Sequence, residues 1–306
     1  MNDNRDGNEI IVTVFTPTYN RGYIIEKLFT SLKRQTNFMF EWLVIDDGST
    51  DNTCDLFMQW QREEISFPIR YHKIENGGKH RAINKAVLMA HGRLFFIVDS
   101  DDYLTDDAIE KLILWESTLP NNGVFAGISG NRGYSHDKII GSTFEGESID
   151  ATYTQREEYG IEGDKAEAYY TYVLREYPFP EFAGENFLTE RVVWDKIGAE
   201  GLKIRWMNDI IYIGDYLEDG LSKGGINIYQ KNPKGIAYNL VQMTEIYHYT
   251  FLQRLREYNS YYELVREYLS FSSICENLKI SKSVLLLSIG MARCYRFLKY
   301  GRWKNE

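Results

Sequence analysis

The 306-residue chain is predicted to be an α/β protein: a doubly wound, mostly parallel sheet with helices on both faces, followed by a C-terminal helical region. Two observations carry that prediction. Over the first ~120 residues, short β-rich runs alternate strictly with longer amphipathic ones, which is the pattern of a parallel sheet with crossover helices. Each of the first four apolar runs also ends in a polar segment, and in such sheets ligands bind beyond the carboxyl ends of the strands.

The elements follow in order. "IIVTVFT" (10–16), "EWLVID" (41–46), "IRYHK" (69–73) and "RLFFIVD" (93–99) are too apolar or β-branched for surface helices and are predicted as strands. Between them, Ile24–Gln35, Asp51–Glu64, Lys79–Ala90 and Thr105–Thr118 have helical spacing, with Asp51 and Thr105 placed as N-caps. Beyond residue 120, "GVFAGISG" is predicted as a strand and "DKAEAYYTYVLREY" (164–177) as a helix. From Lys234 the pattern is helical nearly to the end.

Composition narrows the function. With 43% hydrophobic and 26% charged residues the chain reads as an ordinary globular protein. Three cysteines, Cys54, Cys275 and Cys294, without paired spacing speak against a disulfide framework or a zinc site. The polar start "MNDNRDGNE" has no apolar run behind it, so no signal peptide is expected. No stretch reaches the ~18 apolar residues of a membrane span. A cytoplasmic location fits these features. The net charge of −9 argues against nucleic acid as a partner, but it is unevenly spread. The segment from Lys279 to Glu306 carries +6, leaving −15 on the rest.

The chemistry gathers at the strand exits. "FFIVDSDDYL" follows the fourth strand with Asp99, Asp101 and Asp102. Carboxylates two apart on a strand-end loop suit a hard Mg²⁺ or Mn²⁺ ion, and a solvated helix approach capped by Thr105 is the plain alternative. A calcium loop fails, because its turn position, where glycine is needed, is Leu104. "DDGSTD" after the second strand offers Asp47 to a base or ribose edge. In "ENGGKHR", Gly77 and Gly78 allow close backbone approach, while Lys79 and Arg81 open a helix whose N-terminus favours phosphate. No G-x-G-x-x-G and no P-loop is present.

"TPTYNR", "VIDDGSTDNT", "ENGGKHRAINKAV" and "FFIVDSDDYLTDDAI", in that order and spacing, resemble the family 2 glycosyltransferases of GT-A fold, over roughly residues 10–120. The resemblance implies inverting transfer of one sugar from a nucleotide-diphosphate donor, usually a UDP-sugar, to a hydroxyl of a saccharide or lipid-linked saccharide in surface-glycan assembly. It divides the chain into a GT-A domain at 1–230, with its nucleotide half at 10–120 and acceptor half at 121–230, and a helical region at 231–306. By position, Thr16, Tyr19 and Arg21 would line the nucleotide, Asp47 would contact the base, and Lys79 or Arg81 would lie near the diphosphate. Asp99 would face the ribose or donor sugar, and Asp101 would bind Mn²⁺ or Mg²⁺. The catalytic base would be Glu185 in "FPEFAGENFLTE", although Asn186 replaces the second acid of the family's pair; Glu181, Asp215 and Glu218 are alternatives.

A sugar-phosphate nucleotidyltransferase would show a Gly- and Arg/Lys-rich loop in place of "TPTYNR". A carbohydrate-binding module would not need the D-x-D. "KSVLLLSIGMARCYRFLKYGRWK" (282–304) is basic and aromatic. It is expected either to lie on an anionic membrane, making the protein peripheral at the inner face, or to pack its leucines on the body.

Overall fold

The computed structural model describes residues 9–121, 123–214 and 225–300. These fall into two compact units, Met1–Pro180 with Val193–Tyr216, and Glu181–Val192 with Leu217–Glu306.

The first unit is built on one sheet. Its strands among the described residues are β1 (Val12–Thr18), β2 (Phe40–Asp46), β3 (Ile69–Lys73), β4 (Leu94–Ile97), β5 (Tyr103–Leu104), β6 (Phe125–Ser135), β7 (Lys138–Ile139), β8 (Ser148–Thr152), β9 (Lys165–Tyr170) and β10 (Lys203–Ile213). They run in the order β3-β2-β1-β4-β9-β6-β10-β5, with β7 on β6 and β8 on β10. β3, β2, β1 and β4 are mutually parallel, as are β6 and β10. β9 runs antiparallel between β4 and β6 and joins the two parallel groups. The expected α/β sheet is thus present, with an antiparallel seam.

Burial explains the first strands. Every residue of β2 is buried, as a central parallel strand covered on both faces requires. β3 is only half-buried and carries Arg70 and Lys73, charges that keep an edge from pairing with another chain. The crossover helices are α1 (Glu26–Lys33), α2 (Thr53–Trp60), α3 (Lys79–Met89) and α4 (Ala108–Ser117). Leu28, Phe29 and Leu32 of α1 join Val12, Val14, Trp42, Val44, Phe96 and Val98 in the core.

The structure corrects three local expectations. Residues 164–177 are strand β9 followed by the short helix α5 (Thr171–Glu176), not one helix. Ala166 and Glu167 are helix formers, but β9 closes the gap between β4 and β6, and pairing on both edges overrides local propensity. Asp51 and Thr105 do not stand at the N-cap positions, which are Asn52 and Asp107. Asp51 still accepts the Thr53 amide at 3.0 Å, and Thr105 donates its hydroxyl to Asp107 at 2.7 Å.

β6 and β9 approach closely at Gly127, where a Cβ would lie 2.2 Å from the Ala168 carbonyl oxygen. Gly127→Ala is expected to force the strands apart and destabilise the fold by about 1–3 kcal/mol, measured by denaturant unfolding.

After α6 (Arg191–Ala199), the second unit is helical: α7 (Gly225–Lys231), α8 (Pro233–Ile246), α9 (Phe251–Val265), α10 (Phe271–Leu278) and α11 (Lys282–Tyr300). Its own core includes Ala237, Leu255, Tyr261, Val265, Ile274, Leu278, Leu285 and Ile289. α9 begins with a capping box in which Thr250 and Gln253 satisfy each other's backbone amides. Among the described residues no helix is long and apolar enough to cross a membrane.

Candidate active site

The exits of β1, β2 and β4 and the start of α3 lie together, and hydrogen bonds knit them. Asn20, in the left-handed region at φ 53°, accepts the Thr50 amide at 2.7 Å, and its own amide donates to the Ser49 hydroxyl at 2.8 Å. Gly22 donates its amide to Asp51 at 3.0 Å. Gly48 turns at φ 91°, and a Cβ there would sit 3.1 Å from the Asn76 nitrogen, so the "DDGST" turn needs glycine.

Asp46 and Asp47 are both buried and both engaged. Asp46 accepts the Ser49 amide at 2.7 Å and the Tyr71 hydroxyl. Asp47 accepts the amides of Gly77 at 2.7 Å and Gly78 at 2.8 Å, one on each oxygen. Burial raises the Asp47 carboxyl above its ordinary value, helped by Asp46 and opposed by those two amides. Asp47 therefore pins the turn that opens α3, and the amides of Gly77 and Gly78, expected to allow close backbone approach, hold its carboxylate.

At the exit of β4, Lys79 Nζ lies 2.6 Å from Asp99 Oδ1. Burial disfavours charge on Asp99, but Lys79 and Arg132 outweigh it and hold the carboxyl below its ordinary value. Asp101, half-buried, makes no ion pair among the described residues. Burial and the Asp99 charge raise its carboxyl. Asp102 is fully buried, and its Oδ2 accepts the Tyr212 hydroxyl at 2.7 Å and an Arg132 N–H. The Tyr212 oxygen also accepts the Asp99 amide at 2.9 Å, so one phenol ties the D-x-D backbone to its neighbouring carboxylate. Burial, with Asp99 and Asp101, pushes the Asp102 carboxyl up to about 7 against Arg132 and Tyr212.

Arg132 was not singled out by the sequence. It stands on β6 beside Tyr212 on β10, with its guanidinium 4.6 Å from that ring's centre and 3.9 Å from Asp99. A Cβ at Gly214 would lie 2.1 Å from Asp102 Oδ1, so glycine there admits the pair. Half-buried Glu167 on β9 is a further acid, its carboxyl raised by burial and held back by Arg156. It was missed because its segment reads as helix.

The remaining expected residues divide. Tyr19 is exposed, and Arg21, which bonds the Tyr23 hydroxyl at 2.7 Å, acts electrostatically on Asp99 and Asp101. Thr16 is fully buried and accepts the Trp42 indole N–H at 3.0 Å, so it supports the site from below and does not line it. Arg81 turns back to donate to the Gly77 carbonyl.

Glu185 belongs to the second unit. Its buried carboxylate accepts the amides of Lys234 and Gly235, each at 2.8 Å, at the start of α8. In return Asn232 Oδ1 accepts the amides of Asn186 at 2.8 Å and Phe187 at 2.9 Å. Four hydrogen bonds thus lock 185–187 to a helix N-terminus, which favours an anion. The expected base is placed as a helix cap. Glu181 is exposed in the same unit, and Asp215 and Glu218 lie outside the described residues.

The carboxylates suit a divalent cation in part. Asp101 is unpaired, and Asp102 Oδ1 is buried without a hydrogen bond among the described residues. No three His, Cys, Asp or Glu side chains converge among those residues. One or two carboxylate ligands, with phosphate oxygens completing the shell, is the habit of Mg²⁺.

Carboxylates and cations gather at the carboxyl ends of parallel strands, which defines an α/β protein of the class that binds its ligands at the strand exits. The chain belongs to the glycosyl transferase family 2, whose family model matches residues 13–176. It is 37% identical over 101 residues to TuaG of Bacillus subtilis, named as a teichuronic acid biosynthesis glycosyltransferase, a match covering 33% of this chain and 40% of TuaG. The chain thus spans less than half of that relative. In fold it is similar to S. aureus TarS 1–349, solved in complex with UDP-GlcNAc, with a TM-score of 0.61 at 16% identity over 96% of this chain and 93% of that one. It is also similar to the mannosyltransferase PcManGT of Pyrobaculum calidifontis, solved with GDP-Man and Mn²⁺, with a TM-score of 0.55 at 16% identity over 95% and 82%. These neighbours share the GT-A architecture expected from the sequence.

Proposed function

We propose that this protein transfers a single sugar from a nucleotide-diphosphate sugar, a UDP-sugar, to a hydroxyl of a saccharide or lipid-linked saccharide in the assembly of a bacterial surface polysaccharide. The observation that carries the reading is the Lys79–Asp99 pair beside Asp101, which makes no ion pair among the described residues, inside the family-matched segment. The names of TuaG and TarS support the polymer class and the donor.

In an inverting transfer the acceptor oxygen attacks the anomeric carbon as the diphosphate leaves, and negative charge gathers on the leaving oxygen. Asp101 would hold the divalent ion, Mn²⁺ or Mg²⁺, with Asp99 beside it; bound there, the ion would neutralise that charge. Lys79 keeps Asp99 ionised and fixes its direction, while Arg21 adds positive potential on the exposed side. Asp47 holds the Gly77–Gly78 turn that places Lys79. The acceptor hydroxyl must also lose a proton. Glu185, with both oxygens on backbone amides, is assigned here the positioning of segment 185–187 and not that proton.

Calorimetric titration of UDP tests the donor site. Binding in Mn²⁺ is expected to weaken more than about tenfold with EDTA or in Asp101→Ala, the loss of a charge-neutralising ligand. Equal binding without metal would overturn the role given to Asp101.

A further inference from the structure

The fold splits the leucine run of α11 between two faces. Leu285 and Ile289 are buried in the second unit's core, and Ser288 between them is buried too. At 100° per residue the opposite side of the helix carries Leu286, Leu287, Gly290, Cys294, Phe297 and Leu298. Leu286 is 60%, Leu287 50%, Phe297 42% and Leu298 82% exposed. A surface helix ordinarily turns its polar side outward, and a contiguous exposed apolar strip marks a surface that meets something.

Charge says what that is. Residues 282–300 contain no Asp or Glu, while Lys282 and Arg293 flank one edge of the strip and Arg296 and Lys299 stand on the other side of the helix. Arg296 reaches Glu263 of α9 at 3.3 Å, and Lys299 lies 5.9 Å from the Tyr295 ring centre. A second copy of this face would bring like charges together with no acid on α11 to offset them. An anionic lipid surface accepts both features, with leucines among the acyl chains and cations among the headgroups.

We propose that α11 is an in-plane membrane-binding helix for anionic lipid, with Leu286, Leu287, Phe297 and Leu298 inserted and Lys282 and Arg293 at the headgroups. The two faces of the leucine run are thus given different jobs: Leu285 and Ile289 pack in the second unit's own core, and the exposed strip is assigned to lipid. The test is flotation of the full chain with vesicles of phosphatidylcholine alone and of phosphatidylcholine with phosphatidylglycerol in equal parts, which requires no transfer activity. Wild type is expected to float with the anionic vesicles only, and Leu286→Glu/Leu298→Glu to lose more than about tenfold of that partitioning. Should the double variant unfold, Leu298→Glu alone, at the most exposed position, is expected to lose several-fold. Wild type that ignores anionic vesicles, floats equally with both kinds, or floats undiminished in a folded variant would overturn the proposal. So would a dimer in solution that the variant abolishes without any vesicle binding.

Discussion

Arg132→Met is expected to cost about 3 kcal/mol or more of stability, because it strips the guanidinium from a buried carboxylate and leaves Asp102 uncompensated. Methionine keeps much of the volume, so the loss would report charge and not a cavity. Asp102 can answer by taking up a proton, since burial already raises its carboxyl, and this holds the cost near the lower end for such pairs. Asp99 loses one of its three cations at the same time and keeps Lys79 and Arg21. Urea unfolding of the single variants and of Arg132→Met/Asp102→Asn forms a double-mutant cycle. The double variant is expected to be more stable than the two single costs predict, because asparagine still accepts the Tyr212 hydroxyl. Strict additivity would mean that the two side chains do not act as a pair.

Glu185→Gln separates two roles that the same residue has been given. As a helix cap, the carboxylate receives two backbone N–H groups, and an amide offers one acceptor and sets an NH₂ against the other donor. Hydrogen bonds to a charged group are worth about 1.5–3 kcal/mol, so the variant is expected to melt several degrees lower. UDP binding, which rests on the first unit, is expected to be unchanged. A proton acceptor would behave otherwise: turnover would fall by roughly 10²–10⁴-fold at an unaltered melting temperature. That second pattern would restore Glu185 as the base.

Much of the fold was legible because its signals are local. Alternating apolar runs located β1 to β4 and α1 to α4 within a few residues, and the polar exits marked where the site would lie. Asp99, Asp101 and Lys79 drew notice by their strand-end setting, and the family resemblance gave them roles. The failures share one cause. Thr16 has the sequence setting of a lining residue and is buried against Trp42. β9 has the composition of a helix and becomes a strand because two neighbours offer it hydrogen bonds. Arg132 sits in "GNRGY", which carries no motif.

The sequence by itself determined the sheet's class, the order of the crossovers, the family, and the carboxylates that end β4. Periodicity and loop chemistry are properties of neighbouring residues, so they can be read without a fold. The tertiary structure alone decided which acids remain open. Tyr212 reaches Asp102 across 110 positions, Arg132 reaches it across 30, and Lys234 and Gly235 take the oxygens of Glu185 from about 50 positions away. A carboxylate's role depends on what occupies its lone pairs. Those occupants are brought by chain crossings that no local pattern encodes.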